Sequence, residues 1–343
     1  MDIKTVGLDI GKTWFHFVGC NRAGNPIARH KFNRGQLMRH MVKMSPCLIG
    51  MEACPGSQHL ARAFQRYGHD VRLIAPKFVK PYLKSQKNDF NDAEAIAEAV
   101  TRPTMRFVNV KSNEQLDVQA LHRLRDRLVA QRTATINQIR AFLIEYGIPI
   151  KEGRRVLKRE LPQILSEPDN GLSDRMRRVI HRMAEHWSSL EAAVDECTED
   201  LELIARRDDL CRRLATVPGI GPLGATALVA AVGNAAAFKR GRELAAWLGL
   251  VPKQHSTGGK SRLLGVTKRG NPYVRRLLIH GARSLVRHLH RENHELGLWM
   301  TQLEQRAHKN VVVVAVANKL ARIAWAVLAR NEIYRSEAAA AAA

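Results

Sequence analysis

Three short apolar runs, each closed by a turn, fill the first 32 residues, and their order restricts the fold more than any other feature of the chain. Residues 5–10 form a continuous buried-strand run; 14–19 form a second, and after a turn at 21–26 a third follows at 27–32. That spacing reads as a meander. A further apolar run at 47–51 is followed by helical spacing over 57–67 that stops at Gly68, and then by a strand at 71–75 ended by Pro76. Asn91 is read as the cap of a helix continuing to Val100. Three consecutive strands and then alternating helix and strand describe a mixed sheet flanked by helices.

This is the order expected of a ribonuclease-H-like fold, and four carboxylates stand where such a sheet presents its chemistry. Asp9 lies at the end of one strand run and Glu52 at the end of another, while Asp89 and Asp92 are three positions apart on one helical turn. Together they are candidates to hold two Mg²⁺ ions roughly 4 Å apart, the arrangement that activates an attacking oxygen and stabilises a leaving one. Carboxylate oxygens select Mg²⁺ or Mn²⁺ over zinc. Each acid also has a plain structural reading: Asp89 and Asp92 as helix-capping groups, Glu52 as a surface residue past a strand.

Residues 7–13 carry a Gly-rich, Lys-Thr-containing pattern that resembles a nucleotide loop. Only Leu8, Asp9 and Ile10 separate Gly7 from Gly11, one residue short of a Walker A loop. The Asp-x-Gly-x-Thr run also resembles the first phosphate loop of actin-like ATPases and sugar kinases. Their adenosine-binding half is not evident downstream, and the charge of the chain suits them poorly.

That charge is large: 55 Lys+Arg against 32 Asp+Glu leave +23, with a pI near 10.4, on 343 residues. A polyanion is the natural counterpart. The excess is concentrated, with thirteen basic residues against one acidic residue, Glu243, over 239–291, while 151–200 is slightly acidic, nine against eleven. No apolar run is expected to reach the roughly 18–20 residues that span a bilayer, and the N-terminus opens on a strand, not a leader. Five cysteines, Cys20, Cys47, Cys54, Cys197 and Cys211, lack C-x-x-C spacing, which suits a reducing compartment and core roles. The expected location is the cytoplasm, in association with the nucleoid if the chain is bacterial.

From 114 to 144 the pattern is helical, with Leu121, Leu124, Leu128, Ile136, Ile139 and Leu143 read as one stripe. After a Pro- and Gly-punctuated stretch at 147–171, a second long helix carries Met176, Ile180, Met183, Trp187, Leu190, Val194, Cys197, Leu201 and Ile204 at alternating spacings of 4 and 3. A seam of that kind implies a coiled-coil partner, either the first helix folded back or a second protomer. Beyond it, Val217-Pro218-Gly219-Ile220-Gly221-Pro222 precedes a small-residue helix at 223–232. Tight Gly turns before a helix offer backbone N–H groups to a phosphate, and close helix packing would want the same glycines. Then come residues 245–250, a loop at 251–260, a basic helix at 273–290 and an apolar helix at 311–330 read as core. The expected domains are 1–110 with the acidic site, 111–210 as a helical spacer and oligomerisation region, 211–335 as a mainly helical C-terminal domain, and 336–343 as a disordered tail.

With the quartet and the loop of 251–260 both in hand, nearly the whole chain resembles the DEDD transposases of the insertion-sequence 110/1111 group. The resemblance rests on Leu8-Asp9-Ile10-Gly11, Met51-Glu52-Ala53, Asn88-Asp89-Phe90-Asn91-Asp92-Ala93, Pro218-Gly219-Ile220-Gly221 and Gly249-Leu250-Val251-Pro252-Lys253-Gln254-His255-Ser256-Thr257-Gly258-Gly259-Lys260. It implies a RuvC-like α/β N-terminal domain, a long helical coiled-coil spacer and a mainly α C-terminal transposase domain. It also implies a recombinase in which a C-terminal serine attacks DNA while Asp9, Glu52, Asp89 and Asp92 supply Mg²⁺. A structured bridge RNA as guide, and a tetramer acting on donor and target DNA, follow from the same resemblance.

The nucleophile is read as Ser256, a primary and less hindered hydroxyl, with Thr257 as the alternative because an ungapped match to some relatives lands there. A serine is a poor attacker at neutral pH, so it needs a base or a metal to take its proton; His255 is read as a neighbour of that chemistry. Lys253, Lys260, Arg262, Lys268, Arg269, Arg275 and Arg276 are candidate nucleic-acid contacts, with Gly219 and Gly221 as a phosphate turn. The plain reading of Ser256 is a turn-forming hydroxyl in a Gly-rich loop. Two other functions compete with the transposase: a junction-resolving endonuclease using metal-activated water, and a nucleic-acid-binding protein without catalysis.

Overall fold

The computed structural model describes residues 2–84, 86, 88–289 and 295–335, and the chain divides into two compact units, Met1–Ser112 and Asn113–Ala343. In the first unit, β1 (Thr5–Ile10), β2 (Phe15–Cys20) and β3 (Pro26–Phe32) form the expected antiparallel meander. On the other side of β1, β4 (Leu48–Glu52) and β5 (Asp70–Ile74) run parallel to it, and the two-residue β6 (Phe107–Val108) closes the edge antiparallel. The strand order is β3-β2-β1-β4-β5-β6, a mixed sheet of the kind a ribonuclease-H-like DEDD domain requires. Four helices connect the strands: α1 (Arg34–Lys43), α2 (Ser57–Arg66), the single turn α3 (Pro76–Val79) and α4 (Asp89–Val100).

Every residue of β2 is buried because both faces of the sheet are covered. Leu37 and Met41 of α1 and Leu60 and Phe64 of α2 pack with Phe15 and Phe17 on one side, while Ala93 and Ala97 of α4 pack with Val18 and Cys20 on the other. Each large side chain buried this fully contributes roughly 1.5–3 kcal/mol of transfer free energy.

The helix carrying Asp89 and Asp92 is held by two glycines. Gly7 and Gly50 face each other in the parallel register of β1 and β4. A Cβ on Gly7 would collide with the Ala93 carbonyl and lie 2.6 Å from the Ala97 nitrogen; one on Gly50 would lie 2.8 Å from Val100 Cβ. So α4 rests its small-residue stripe directly on the strand backbones. Its cap differs from the expected one. Asn88, not Asn91, caps the helix, its side chain accepting from the Phe90 N–H at 2.9 Å, while the Asn91 amide donates to the Gln86 carbonyl at 3.1 Å.

The second unit begins with a helical hairpin. α5 (Asn113–Glu145) and α7 (Asp174–Arg207) run antiparallel: Arg125 near the start of α5 donates to Thr198 near the end of α7 at 2.7 Å, and Ile139 and Leu143 cluster with Ile180 and Trp187 at the other end. The α7 seam is buried at Ile180, Trp187, Leu190, Val194, Cys197 and Leu201. Two expectations need correction. Leu124 is half exposed, and His122 is the residue that α5 buries in its first half. The 147–171 stretch contains a further helix, α6 (Arg154–Ser166), which tolerates Pro162 and buries Leu157 and Leu161.

The rest of the unit is helical around one core: α8 (Asp209–Leu214), α9 (Pro222–Val232), α10 (Gly241–Trp247), α11 (Pro272–His288), α12 (Glu295–Glu304) and α13 (Lys309–Arg330), with one hairpin, β7 (Pro252–Thr257) and β8 (Lys260–Val266), between α10 and α11. The expected loop at 251–260 is therefore strand and turn. By length and composition α13 is apolar enough to cross a membrane, against the expectation that no segment is; half of its most apolar window is buried, with Val316, Leu320, Ala324 and Leu328 in the core. His290 and the tail at 336–343 lie outside the described residues. All five cysteines are free.

Candidate metal centre and serine hairpin

The parallel register that opposes Gly7 to Gly50 continues through Leu8 and Met51, which puts Asp9 and Glu52 level, each two residues beyond its glycine. Strand side chains alternate faces, so both carboxylates lie on the face that α4 covers. On α4, Asp89 and Asp92 precede Ala93 and Ala97 along one stripe. The contacts that seat the helix on the glycines thus deliver its two acids to the other two, and the structure brings the four together.

Their electrostatics reflect that crowding. Burial, then the charges of Asp92 and Asp89, push the Asp9 carboxyl above its ordinary value, against a smaller opposite effect of His16. Glu52 is pushed the same way by burial, then by Asp9 and Asp92, with Lys80 opposing. The nearby Cys54 thiol is raised by burial and by Glu52 and Asp9. Like charges gathered in a half-buried cleft are unfavourable unless a cation offsets them. A set of carboxylate donors of this charge fits a hard divalent ion.

His16 was absent from the sequence reading. It lies opposite Asp9 in the β1–β2 register, with Nδ1 at 3.5 Å from Asp89 Oδ2 and 4.0 Å from Asp9 Oδ2. The only sequence signal was a histidine inside an otherwise apolar strand, and its significance depends on the cross-strand register.

Ser256 lies in the second unit, on β7, in a hairpin whose residues are almost all exposed. Gly258 and Gly259 form its two-residue turn, with φ of +55° and +77°, the left-handed pair that such hairpins demand. Ser256 pairs with Ser261 across the ladder, and Gln254 Nε2 donates to Ser256 Oγ at 2.9 Å and to Ser261 Oγ at 3.2 Å. Strand alternation puts Gln254 and Ser256 on one face and Thr257 on the other. Gln254 was also missed by sequence reading.

The basic candidates divide. Lys253, Lys260 and Arg262 are exposed on the hairpin, and Lys268 and Arg269 are exposed in the segment after it. Arg275 instead donates to the Leu248 carbonyl at 2.9 Å and the Arg269 carbonyl at 2.8 Å, and Arg276 pairs with Asp126 and lies 5.2 Å over the Tyr273 ring. Gly219 packs beneath α11, where a Cβ would lie 2.5 Å from Leu285 Cδ1, whereas Gly221 at the α9 N-cap faces open space.

Two family models match the chain. A DEDD transposase model of the IS110 type, described as a transposase, covers residues 6–148, and one described as "Transposase IS116/IS110/IS902 family" covers 211–296. The chain is 44% identical to the transposase for insertion sequence element IS1111A of Coxiella burnetii over 97% of its length and 92% of that protein. It is 44% identical to a probable family 20 transposase of Pseudomonas aeruginosa, covering 98% and 99%, and 40% identical to the transposase for insertion sequence element IS1328 of Yersinia enterocolitica, covering 97% and 99%.

Proposed function

The chain belongs to the IS116/IS110/IS902 transposase family, and from that premise we propose that it cuts and rejoins the DNA strands of an insertion element, with Ser256 as nucleophile and the Asp9, Glu52, Asp89 and Asp92 cradle as the divalent-ion site. The observation that carries the reading is the convergence of those four carboxylates through the Gly7–Gly50 seat of α4. A bound Mg²⁺ or Mn²⁺ pair supplies charge neutralisation at the scissile phosphate and favours ionisation of the attacking hydroxyl.

The residues of the chain do the rest. Ser256 Oγ would pass its proton to solvent water and bond to phosphorus, the P–O bond to the deoxyribose oxygen would break with that oxygen taking a proton from water to leave as a hydroxyl, and the resulting phosphoserine link would conserve the energy of the broken bond. A hydroxyl from another strand reverses the step and rejoins the backbone. Gln254 donates to Ser256 Oγ, which orients the hydroxyl and leaves its own proton free to depart. Lys253, Lys260, Arg262, Lys268 and Arg269 hold the flanking phosphates. Arg275 braces the segment through the Arg269 carbonyl while Arg276 is engaged by Asp126, and Gly221 is the better placed of the two turn glycines to approach a phosphate.

The charge of the chain supports nucleic-acid partners. Donor and target DNA are the substrates, and a bridge RNA serves as guide, consistent with a net charge of +23. The helices of 111–210 act as spacer and oligomerisation region between the acidic domain and the serine domain of 211–335, in a homotetramer working in the bacterial cytoplasm at the nucleoid. The test is a denaturing gel of the protein incubated with element-end DNA, its flanking transcript and Mg²⁺. A DNA-linked protein band is expected, lost in Ser256→Ala and kept in Thr257→Ala. Cleavage without a linked band would replace the serine with activated water, as in a junction-resolving endonuclease. Unchanged element mobility in Asp9→Asn and Asp92→Asn would leave only nucleic-acid binding.

A further inference from the structure

The acidic cradle has a nitrogen donor built into its wall. His16 lies mid-strand on β2 with nine-tenths of its side chain buried, and its Nδ1 is buried without a hydrogen-bond partner. It faces Asp89 Oδ2 at 3.5 Å and Asp9 Oδ2 at 4.0 Å. The ring is fixed edge-on against Phe90, with centroids 4.9 Å apart and planes at 78°. A buried imidazole nitrogen left unpaired costs free energy, and native structures keep such groups for a reason. Here the unpaired atom is held beside two carboxylate oxygens, and the three donor atoms lie within 4.8 Å of one another. Opposite donors on one small cation stand roughly 4.2 Å apart, given metal–oxygen distances of about 2.1 Å. Adjacent donors stand roughly 3.0 Å apart on the same ion, so with the two carboxylates opposite and the imidazole between them, shifts of up to about 1 Å would close all three on one ion.

We propose that His16 Nδ1 is a ligand of the cation held between Asp9 and Asp89, giving that position a mixed nitrogen and oxygen donor set. The proposal rests on the reading of the quartet as a divalent-ion cradle. Its consequence is selectivity. Mg²⁺ strongly prefers oxygen donors and gives up water reluctantly, whereas Mn²⁺ accepts imidazole readily, so this position favours Mn²⁺. The other carboxylates, Glu52 and Asp92, leave the second position all-oxygen.

The experiment uses metal-free, full-length protein and Mn²⁺ alone. Pulsed electron paramagnetic resonance is expected to show ¹⁴N modulation on bound Mn²⁺, lost in His16→Gln, and equilibrium titration is expected to show Mn²⁺ affinity at least tenfold weaker in the variant, with Mg²⁺ affinity changed less than about threefold. Bound Mn²⁺ with an oxygen-only spectrum and equal affinity in both proteins would overturn the role of His16 while leaving the cradle intact. No Mn²⁺ bound by the wild-type protein would overturn the cradle itself. Should His16→Gln fail to fold, the nitrogen signal of the wild-type protein decides the matter, because among the described residues His16 is the histidine grouped with these acids.

Discussion

Gly7 and Ala97 touch backbone to backbone: a Cβ on Gly7 would stand 2.6 Å from the Ala97 amide nitrogen. That approach fixes the height of α4 above β1, and with it the position of Asp89 and Asp92 relative to Asp9. Gly7→Ala is therefore expected to destabilise the first unit by at least about 1–3 kcal/mol, the usual cost of forced overpacking, and to weaken divalent-ion binding as the helix shifts. Gly50→Ala meets Val100 Cβ at 2.8 Å and Ile96 Cγ2 at 3.1 Å, a looser approach than the one Gly7 makes to the backbone of Ala93 and Ala97, so its cost should be smaller. Urea midpoints of the two variants decide it; equal costs would show that backbone contact is not what seats the helix.

The crowded carboxylates make stability and activity oppose one another. Asp9 and Glu52 are both raised, first by burial and then by neighbouring acids. A group whose folded value lies above its unfolded one favours the fold at low pH and loses that contribution as pH climbs through the raised value. Their ionised forms are therefore held at a cost to the fold when no metal is bound. Asp9→Asn and Glu52→Gln should each raise the melting temperature of metal-free protein at pH 7, with the gain shrinking toward pH 4. Mg²⁺ should stabilise the wild type and do little for the variants. A lower melting temperature in Asp9→Asn would mean the quartet is held together by partners other than a cation.

The parts of this architecture visible in the sequence were those carried by period and punctuation. Continuous apolar runs bounded by turn residues announce β1 to β5, and the carboxylates Asp9 and Glu52 stand at strand ends. What was missed depends on register or competes with a louder signal. His16 matters only because antiparallel pairing sets it across from Asp9. The run Asn88-Asp89-Phe90-Asn91 offers two capping asparagines one turn apart, and only the hydrogen bond to Phe90 N–H chooses the first. Pro162 and the glycines around α6 mask a helix whose Leu157 and Leu161 are core. Residues 251–260 read as a loop because the wholly polar, exposed β7 offers no apolar alternation to mark it as a strand.

Gly219 and Gly221 share a turn yet answer to different constraints, which makes them separable. Gly219 has a φ of +84° and lies against Gly281, where a Cβ would stand 3.0 Å from the Gly219 carbonyl carbon. Gly219→Ala and Gly281→Ala should each cost about 1–3 kcal/mol through strain and overpacking. Gly221→Ala, in open space at the α9 N-cap, should cost under about 1 kcal/mol while reducing nucleic-acid affinity if its amides meet a phosphate. Fluorescence-anisotropy titration alongside urea unfolding separates the two effects. A Gly221→Ala protein with unchanged affinity would assign the whole turn to packing.

His122 ties three helices of the second unit together and should give that unit a sharp acid limit. Its Nδ1 lies 2.9 Å from the Tyr273 hydroxyl and its Nε2 3.0 Å from Thr226 Oγ1, joining α5 to α11 and α9. Burial, reinforced by Arg125, pushes the imidazole down to about 4. With a folded value below the unfolded one, protonation favours the unfolded chain, so the contribution is present above about 6.5 and is lost as pH falls toward 4. At about 1.4 kcal/mol per unit, the loss between pH 7.5 and pH 5 should be on the order of 2 kcal/mol. Urea unfolding of the wild type at the two pH values reads it directly, and His122→Asn, which retains hydrogen-bonding groups but does not titrate, should flatten the dependence. An equal fall in both proteins would place the acid limit elsewhere in the unit.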